Sequence, residues 1–286
     1  QDEVFGRTGT QAIYNANVSG GSKDFKYNVS YAHNQENSIM EKSGYNKDNI
    51  GAKLQAKLNK WLTFDFNARM AYQKIKGLSG GADTNDSNAA NSTVAQTITF
   101  APIQELVSSD DDEDNSASSR RSPMERLDGT YKLQTRFQQN YNAALTWKPF
   151  KHWTGKTEFG YGWKYNDTNQ AWTALAVNNS KFSHNGRPQA QFVRDTYKSW
   201  RNANTLTYDN NKLFGGRDYL NVLIGHEWSS DMQTTRTSTS VDFPVDFTID
   251  QVLSFTNTAE STLGNEVDIK AKENMLSFFG RVNYTL

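Results

Sequence analysis

From Leu62 to Tyr72 the chain alternates without a break. Leu62, Phe64, Phe66, Ala68, Met70 and Tyr72 stand between Thr63, Asp65, Asn67, Arg69 and Ala71. A period of two predicts a β-strand with one apolar and one polar face. Strands of soluble domains usually run to about five or six residues. This one is about twice as long, within the ~9–11 residues that a tilted strand needs to cross a bilayer as part of a barrel. The same period recurs at Ala12 to Val18, Phe25 to Tyr31, Ile50 to Leu58 and Phe159 to Tyr165. Over Tyr131 to Lys148 it places Leu133, Phe137, Tyr141, Ala143, Leu145 and Trp147 on one face, and Lys132, Gln134, Arg136, Gln138, Asn140 and Asn142 on the other. Further strands fit 192–210, 217–231 and 273–286 with less regular alternation.

The connections alternate in length. Gly20 to Lys23, Asn59-Lys60, Pro149 to His152 and the Asn/Gly-rich Asp209 to Gly216 are short, with turn chemistry. Segments 35–46, 77–129, 172–191 and 232–272 are long. Outer-membrane barrels have this rhythm, with short periplasmic turns and long extracellular loops, whereas a β-sandwich has no reason to segregate its loops by length. The fold expected is all-β: about nine long strands of a large antiparallel transmembrane β-barrel. Closed bacterial barrels use even strand numbers, and a sheet left open exposes two edges. Residues 1–286 are therefore expected to be one partial barrel domain, a piece of a larger wall. Within 77–129, Gly80 to Ser92 reads as loop, Thr93 to Val107 as a short helix or lid, and Asp110 to Asp114 as a solvated acidic run.

Composition fits that reading. Hydrophobic residues are only 36%, aromatic residues are 13%, and mean hydropathy is −0.79. No apolar run approaches the ~20 residues of a membrane helix, but the polar faces of barrel strands dilute any hydropathy window. Thirty-one basic residues balance 31 acidic ones, so the basic stripe of a nucleic-acid partner is missing. The absence of cysteine excludes thiolate metal sites, disulfides and cysteine nucleophiles. Gln1 follows no signal peptide, so either a leader has been removed or the chain begins inside a longer protein.

Candidate chemistry is sparse. Asp110 to Asp114 lacks the spacing of an EF-hand. His226-Glu227 lacks the second histidine of a zinc helix, and His33, His152 and His184 are scattered. No glycine cluster forms a phosphate loop and no serine sits in a nucleophile elbow. No catalytic residue, metal ligand or cofactor is expected. Trp61, Trp147, Trp153 and Trp163 are read as an interfacial belt near the short turns. Trp172, Phe182 and Phe100, in or beside long segments, either stack on a sugar or peptide ligand or pack the loops together, and His184 is a further candidate for ligand contact. Asp65, Arg69, Arg136, Asn140 and Lys164 are expected to line the lumen.

Several short motifs, in order, resemble the barrel of the SusC/RagA-type TonB-dependent transporters. They are Arg7-Thr8-Gly9-Thr10, Val18 to Ser22, Tyr27 to Tyr31, Ser43 to Asn49, Lys57 to Leu62, Ser122-Pro123 and Ser277 to Tyr284. The resemblance runs end to end. It implies a plugged barrel of about 22 strands in the cell outer membrane, importing glycans, peptides or similar nutrients. It also implies a SusD-like lipoprotein partner and energy from the TonB complex through a plug region outside this segment. Three family features are not found in these residues: a TonB box, a plug domain and a terminal strand ending in an aromatic residue. The rival readings are a soluble carbohydrate-binding β-sandwich module and an envelope barrel enzyme. The first requires two stacked sheets, the second a catalytic cluster.

Overall fold

The computed structural model describes residues 2–77, 122–176, 186–211, 216 and 218–285. It is a single antiparallel sheet. The strands are β1 (Thr10–Gly21), β2 (Phe25–Asn37), β3 (Gly44–Lys57), β4 (Leu62–Lys76), β5 (Thr130–Trp147), β6 (Trp153–Trp172), β7 (Gln189–Asn210), β8 (Tyr219–Val241), β9 (Ser261–Ile269) and β10 (Glu273–Thr285). They pair in chain order, with β9 and β10 both lying along β8. The sheet therefore has nine positions, as expected. No second sheet is stacked on it among the described residues, which removes the sandwich. Three short helices accompany the strands: α1 (Asp2–Phe5), α2 (Pro123–Asp128) and α3 (Ile249–Ser254).

The register from β1 to β8 carries no shift. On the apolar face of β4, from Leu62 to Tyr72, most residues therefore face apolar neighbours, the exceptions being Gln139 beside Met70 and Asp48 beside Tyr72. Phe66 lies between Leu54 and Ala143, which continue to Tyr27 and Phe159. Across the band this apolar face has no cover among the described residues: Phe159 is 50%, Trp228 50%, Ile224 57% and Phe278 77% exposed. Leu62 and Tyr72 stand ten residues apart on β4. At ~3.3 Å per residue and the usual barrel tilt, that is about 25 Å along the axis, the height of a barrel's apolar band.

Two expectations need correction. Trp61, Trp147 and Trp153 do sit beside the short turns, but Trp163 lies in the interior of β6, against Phe137 and Tyr165, with ring centroids at 5.6 and 6.2 Å. It belongs to the opposite end of the apolar band. The other correction concerns 232–272, expected as one long loop. β8 continues to Val241, and β9 pairs with that extension, leaving only 242–260 as connection. Thr234, Thr235, Thr237, Ser238, Thr239 and Ser240 are polar on both faces, so there is no alternation to read. Threonine's branched Cβ still favours the extended chain.

β9 and β10 form one line broken by a bulge. Ile269 opposes Thr234 and Glu273 opposes Asp231, so residues 270–272 face only 232 and 233. The extra residue turns the side chains of β10 to the opposite alternation.

The two clusters of buried apolar side chains lie away from the short turns. Phe243 and Val252, from the 242–260 connection, pack on Ala171 and Ala190 of β6 and β7. Helix α3 starts at Thr248 in a capping box with Gln251. Val4, Met40 and Leu127 form a second cluster joining α1, the 38–43 turn and α2. Arg7 closes it by donating to the carbonyls of Ser38, Met40 and Ser43 at 2.8–3.0 Å. Ser122-Pro123 proves to be the start of α2, Ser122 capping it with Glu125 in the reciprocal position.

On the apolar face the Trp147 indole lies across Gly155, its cross-strand partner, where any Cβ would collide with it. Gly155→Val is expected to expel the ring from the sheet and lower unfolding stability by about 1–3 kcal/mol, read by denaturant titration of Trp fluorescence in the full-length protein.

Candidate functional site

The polar face carries the candidate site. By register, Asp65, Arg69, Arg136, Asn140 and Lys164 all lie on this one face. Arg69 opposes Asn140, Arg136 opposes Asn166, and Lys164 opposes Tyr197. A cavity of about 680 Å³ touches β2 through β7 on this side, from Lys26 and Lys53 to Glu158 and Arg201. One cavity bordered by six successive strands requires the sheet to curl toward its polar face. Asp65 lies in its wall and accepts from Gln55 at 2.8 Å. Lys156 pairs with Glu158 at 2.5 Å, and Arg201 with Glu227 at 3.6 Å. Lys26 and Lys53 add positive charge.

A second cavity, of about 350 Å³, lies further from the short turns and includes Asn140 and Lys164. Its floor is Gly162, where a Cβ would stand 2.5 Å from Ser199 Oγ. Tyr197, also in its wall, donates to Asp231 at 2.6 Å. Asn67 Oδ1, Arg136 Nε and Asn166 Oδ1 are buried on the polar face without a hydrogen-bond partner in the wall. Buried polar atoms normally have one; Asn169 Oδ1, with the apolar alternation of β6, is likewise without one.

Of the aromatic candidates, Trp172 is the last residue of β6, opposite Gln189, with the same alternation as Lys164. It lies on the polar face at the far end from the short turns. Phe100, Phe182, His184, the Thr93 to Val107 stretch and the acidic run fall outside the described residues. Sequence reading missed Arg201, Glu158 and Tyr197. Glu158 stands in the readable alternation of β6 but carries no motif, and the alternation of Arg201 and Tyr197 is legible only once Trp200, Asn202 and Asn204 are assigned to the apolar face. No group of His, Asp or Glu able to hold a metal occurs among the described residues.

No protein-family model matches the chain. A TonB-dependent receptor of Formosa agariphila is 22% identical over 280 residues, which is 96% of this chain and 25% of that protein. A solved structure of the RagAB peptide transporter superposes with a TM-score of 0.72 at 19% identity, covering 96% of this chain and 30% of the other. The RagAB peptide importer in its open-open state gives 0.70 at 19% identity, with the same coverage. The chain has the fold of a SusC/RagA-type barrel wall. This SusC/RagA-like segment spans about a quarter to a third of the length of the proteins it matches.

At the far end of the wall Arg187 grips Glu260 through two guanidinium nitrogens at 2.6 and 2.9 Å and donates to the Phe243 carbonyl at 3.1 Å. These bonds and the arginine's charge hold the Glu260 carboxyl below its ordinary range. A lowered carboxyl pKa adds stability above the unfolded value, and that stability is lost as pH falls through the folded one. Proteolytic nicking of 242–260 is therefore expected to rise as pH drops below about 4.5, the ordinary glutamate value. Glu260→Gln should be nicked more readily at neutral pH, with a much flatter pH dependence.

Proposed function

We propose that this chain is a wall segment of a TonB-dependent importer in the cell outer membrane. The observation that supports it most is the pair of faces: an uncovered apolar face about 25 Å tall, backed by a polar face that borders the cavities. Lipid is the solvent that makes such an apolar face favourable, because it removes large apolar patches from water. The antiparallel ladder meets the other demand of hydrocarbon, that every backbone polar group be paired.

On this reading Asp65, Arg69, Arg136, Asn140 and Lys164 line the lumen. The unpartnered Asn67, Arg136 and Asn166 atoms meet the plug or its water. The end carrying Arg187, α2 and α3 faces outside, toward nutrient and a SusD-like lipoprotein, with Trp172, Phe182, His184 and Phe100 as candidate ligand contacts. The TonB complex acts through the plug, outside these residues. The solved neighbours are peptide transporters, so peptides are the first substrate class to test and glycans the second. On this reading the chain is a wall and not an enzyme, and on the polar face Lys156 pairs with Glu158 and Arg201 with Glu227.

Two measurements test this. Spin labels at Phe64→Cys and Asp65→Cys in the full-length protein should part sharply: the first relaxed by oxygen dissolved in lipid, the second by a water-soluble nickel chelate. The reverse pattern would sink the orientation. Cells carrying the full-length gene should take up labelled oligopeptides or oligosaccharides, and lose that uptake when TonB is deleted. Uptake indifferent to TonB would reject the importer reading.

A further inference from the structure

On the apolar side, beyond the aromatic residues, lies a basic patch with no role in a lumen or a plug. Trp200 and Trp228, with rings 4.8 Å apart, mark the upper limit of the apolar band on β7 and β8. Two residues further along β7 is Lys198, partner of Trp163 and Met232; four more residues on is Arg194. Arg194 directly opposes Arg236 of β8, and all three side chains are exposed. Like charges face to face across strands are unfavourable. The facing acid is Asp167, 3.4 Å from Arg194 Nε. On its other side Arg236 meets Val267. The neighbouring acids Asp195, Glu266 and Asp268 take the opposite alternation, Asp195 already accepting from Thr235 at 2.7 Å. Among the described residues neither Lys198 nor Arg236 has an ion-pair partner.

We infer that Lys198, Arg194 and Arg236 bind the phosphorylated saccharide headgroup of an outer-leaflet glycolipid. The inference rests on the membrane reading above. Height selects the occupant. At ~3.3 Å per residue and a tilt near 40°, Lys198 stands about 5 Å and Arg194 about 15 Å beyond Trp200. A bilayer's polar zone is roughly 5–8 Å thick per leaflet, so a phospholipid phosphate reaches Lys198 alone. A phosphorylated saccharide extends outward to the arginine pair, which can fork onto phosphate bidentately. Above the patch Ala190 and Phe192 pack under the α3 segment, so that shelf bounds the patch on the side away from the apolar band. The bound anion offsets the repulsion between Arg194 and Arg236.

The test uses full-length protein extracted from its own membrane in mild detergent, with co-purifying lipid measured by native mass spectrometry and phosphorus assay. Lys198→Gln/Arg194→Gln/Arg236→Gln should lose phosphorylated glycolipid by at least about tenfold, since each basic residue contributes to headgroup binding. Lys74→Gln, in the same cross-strand row but on β4, should retain it. Near-UV circular dichroism checks that each variant is folded. Equal retention by the triple variant overturns the site. Displacement of the lipid by millimolar inorganic phosphate alone reduces it to a small-anion site and overturns the headgroup. Loss of co-purifying lipoprotein with lipid retained assigns the arginines to a protein partner instead. Wild-type protein leaving the membrane without detergent would fail the membrane reading itself, a separate result.

Discussion

Everything in this molecule follows from an unbroken antiparallel ladder. Between neighbouring strands the backbone amides pair with carbonyls, and from β1 to β8 no residue is inserted or lost. Alternation set in one strand is thereby imposed on all the others. A single slip would exchange the faces of every strand beyond it. The stability of the wall therefore resides in register, not in a buried core. Its two small apolar clusters lie beyond the band and secure connections rather than strands.

That architecture explains which parts were legible in the sequence. β4 was readable because apolar and polar residues take strict turns from Leu62 to Tyr72. The five lumenal candidates followed from the same parity and do share a face. β7 and β8 were only partly readable. Asn202, Asn204 and His226 interrupt the apolar face, where Asn204 bonds Asn202 at 2.7 Å and approaches His226 at 3.4 Å. Past the aromatic residues the strands are wetted on both sides, so hydrophobicity carries no period there. The strand ends at Trp172, Gln189 and Val241 were invisible for that reason. Trp163 was misplaced because tryptophan gathers at both margins of a membrane, and proximity in sequence to Trp153 suggested the wrong one.

The charged groups divide by face. Inward, acids and bases alternate closely enough to pair, as Lys156 with Glu158 and Arg201 with Glu227. On the apolar face the band of β4 to β8 carries no Asp, Glu, Lys or Arg, and beyond it on β7 and β8 stand Lys198, Arg194 and Arg236. A wall that separates two solvents needs such a distribution, since an unpaired charge is costly against hydrocarbon but well placed in the polar zone.

The bulge between β9 and β10 has a further meaning. Because three residues there answer two, the upper part of the last line keeps its own alternation, independent of the lower part. A segment with such a joint tolerates change on one side without scrambling the other. An inserted or deleted residue above the joint would re-aim only the side chains of β9, while the staves beneath keep their faces. The joint works as a gasket: it separates the facing of the upper line, set by the 242–260 connection and β8, from the facing of the lower line, set by the band.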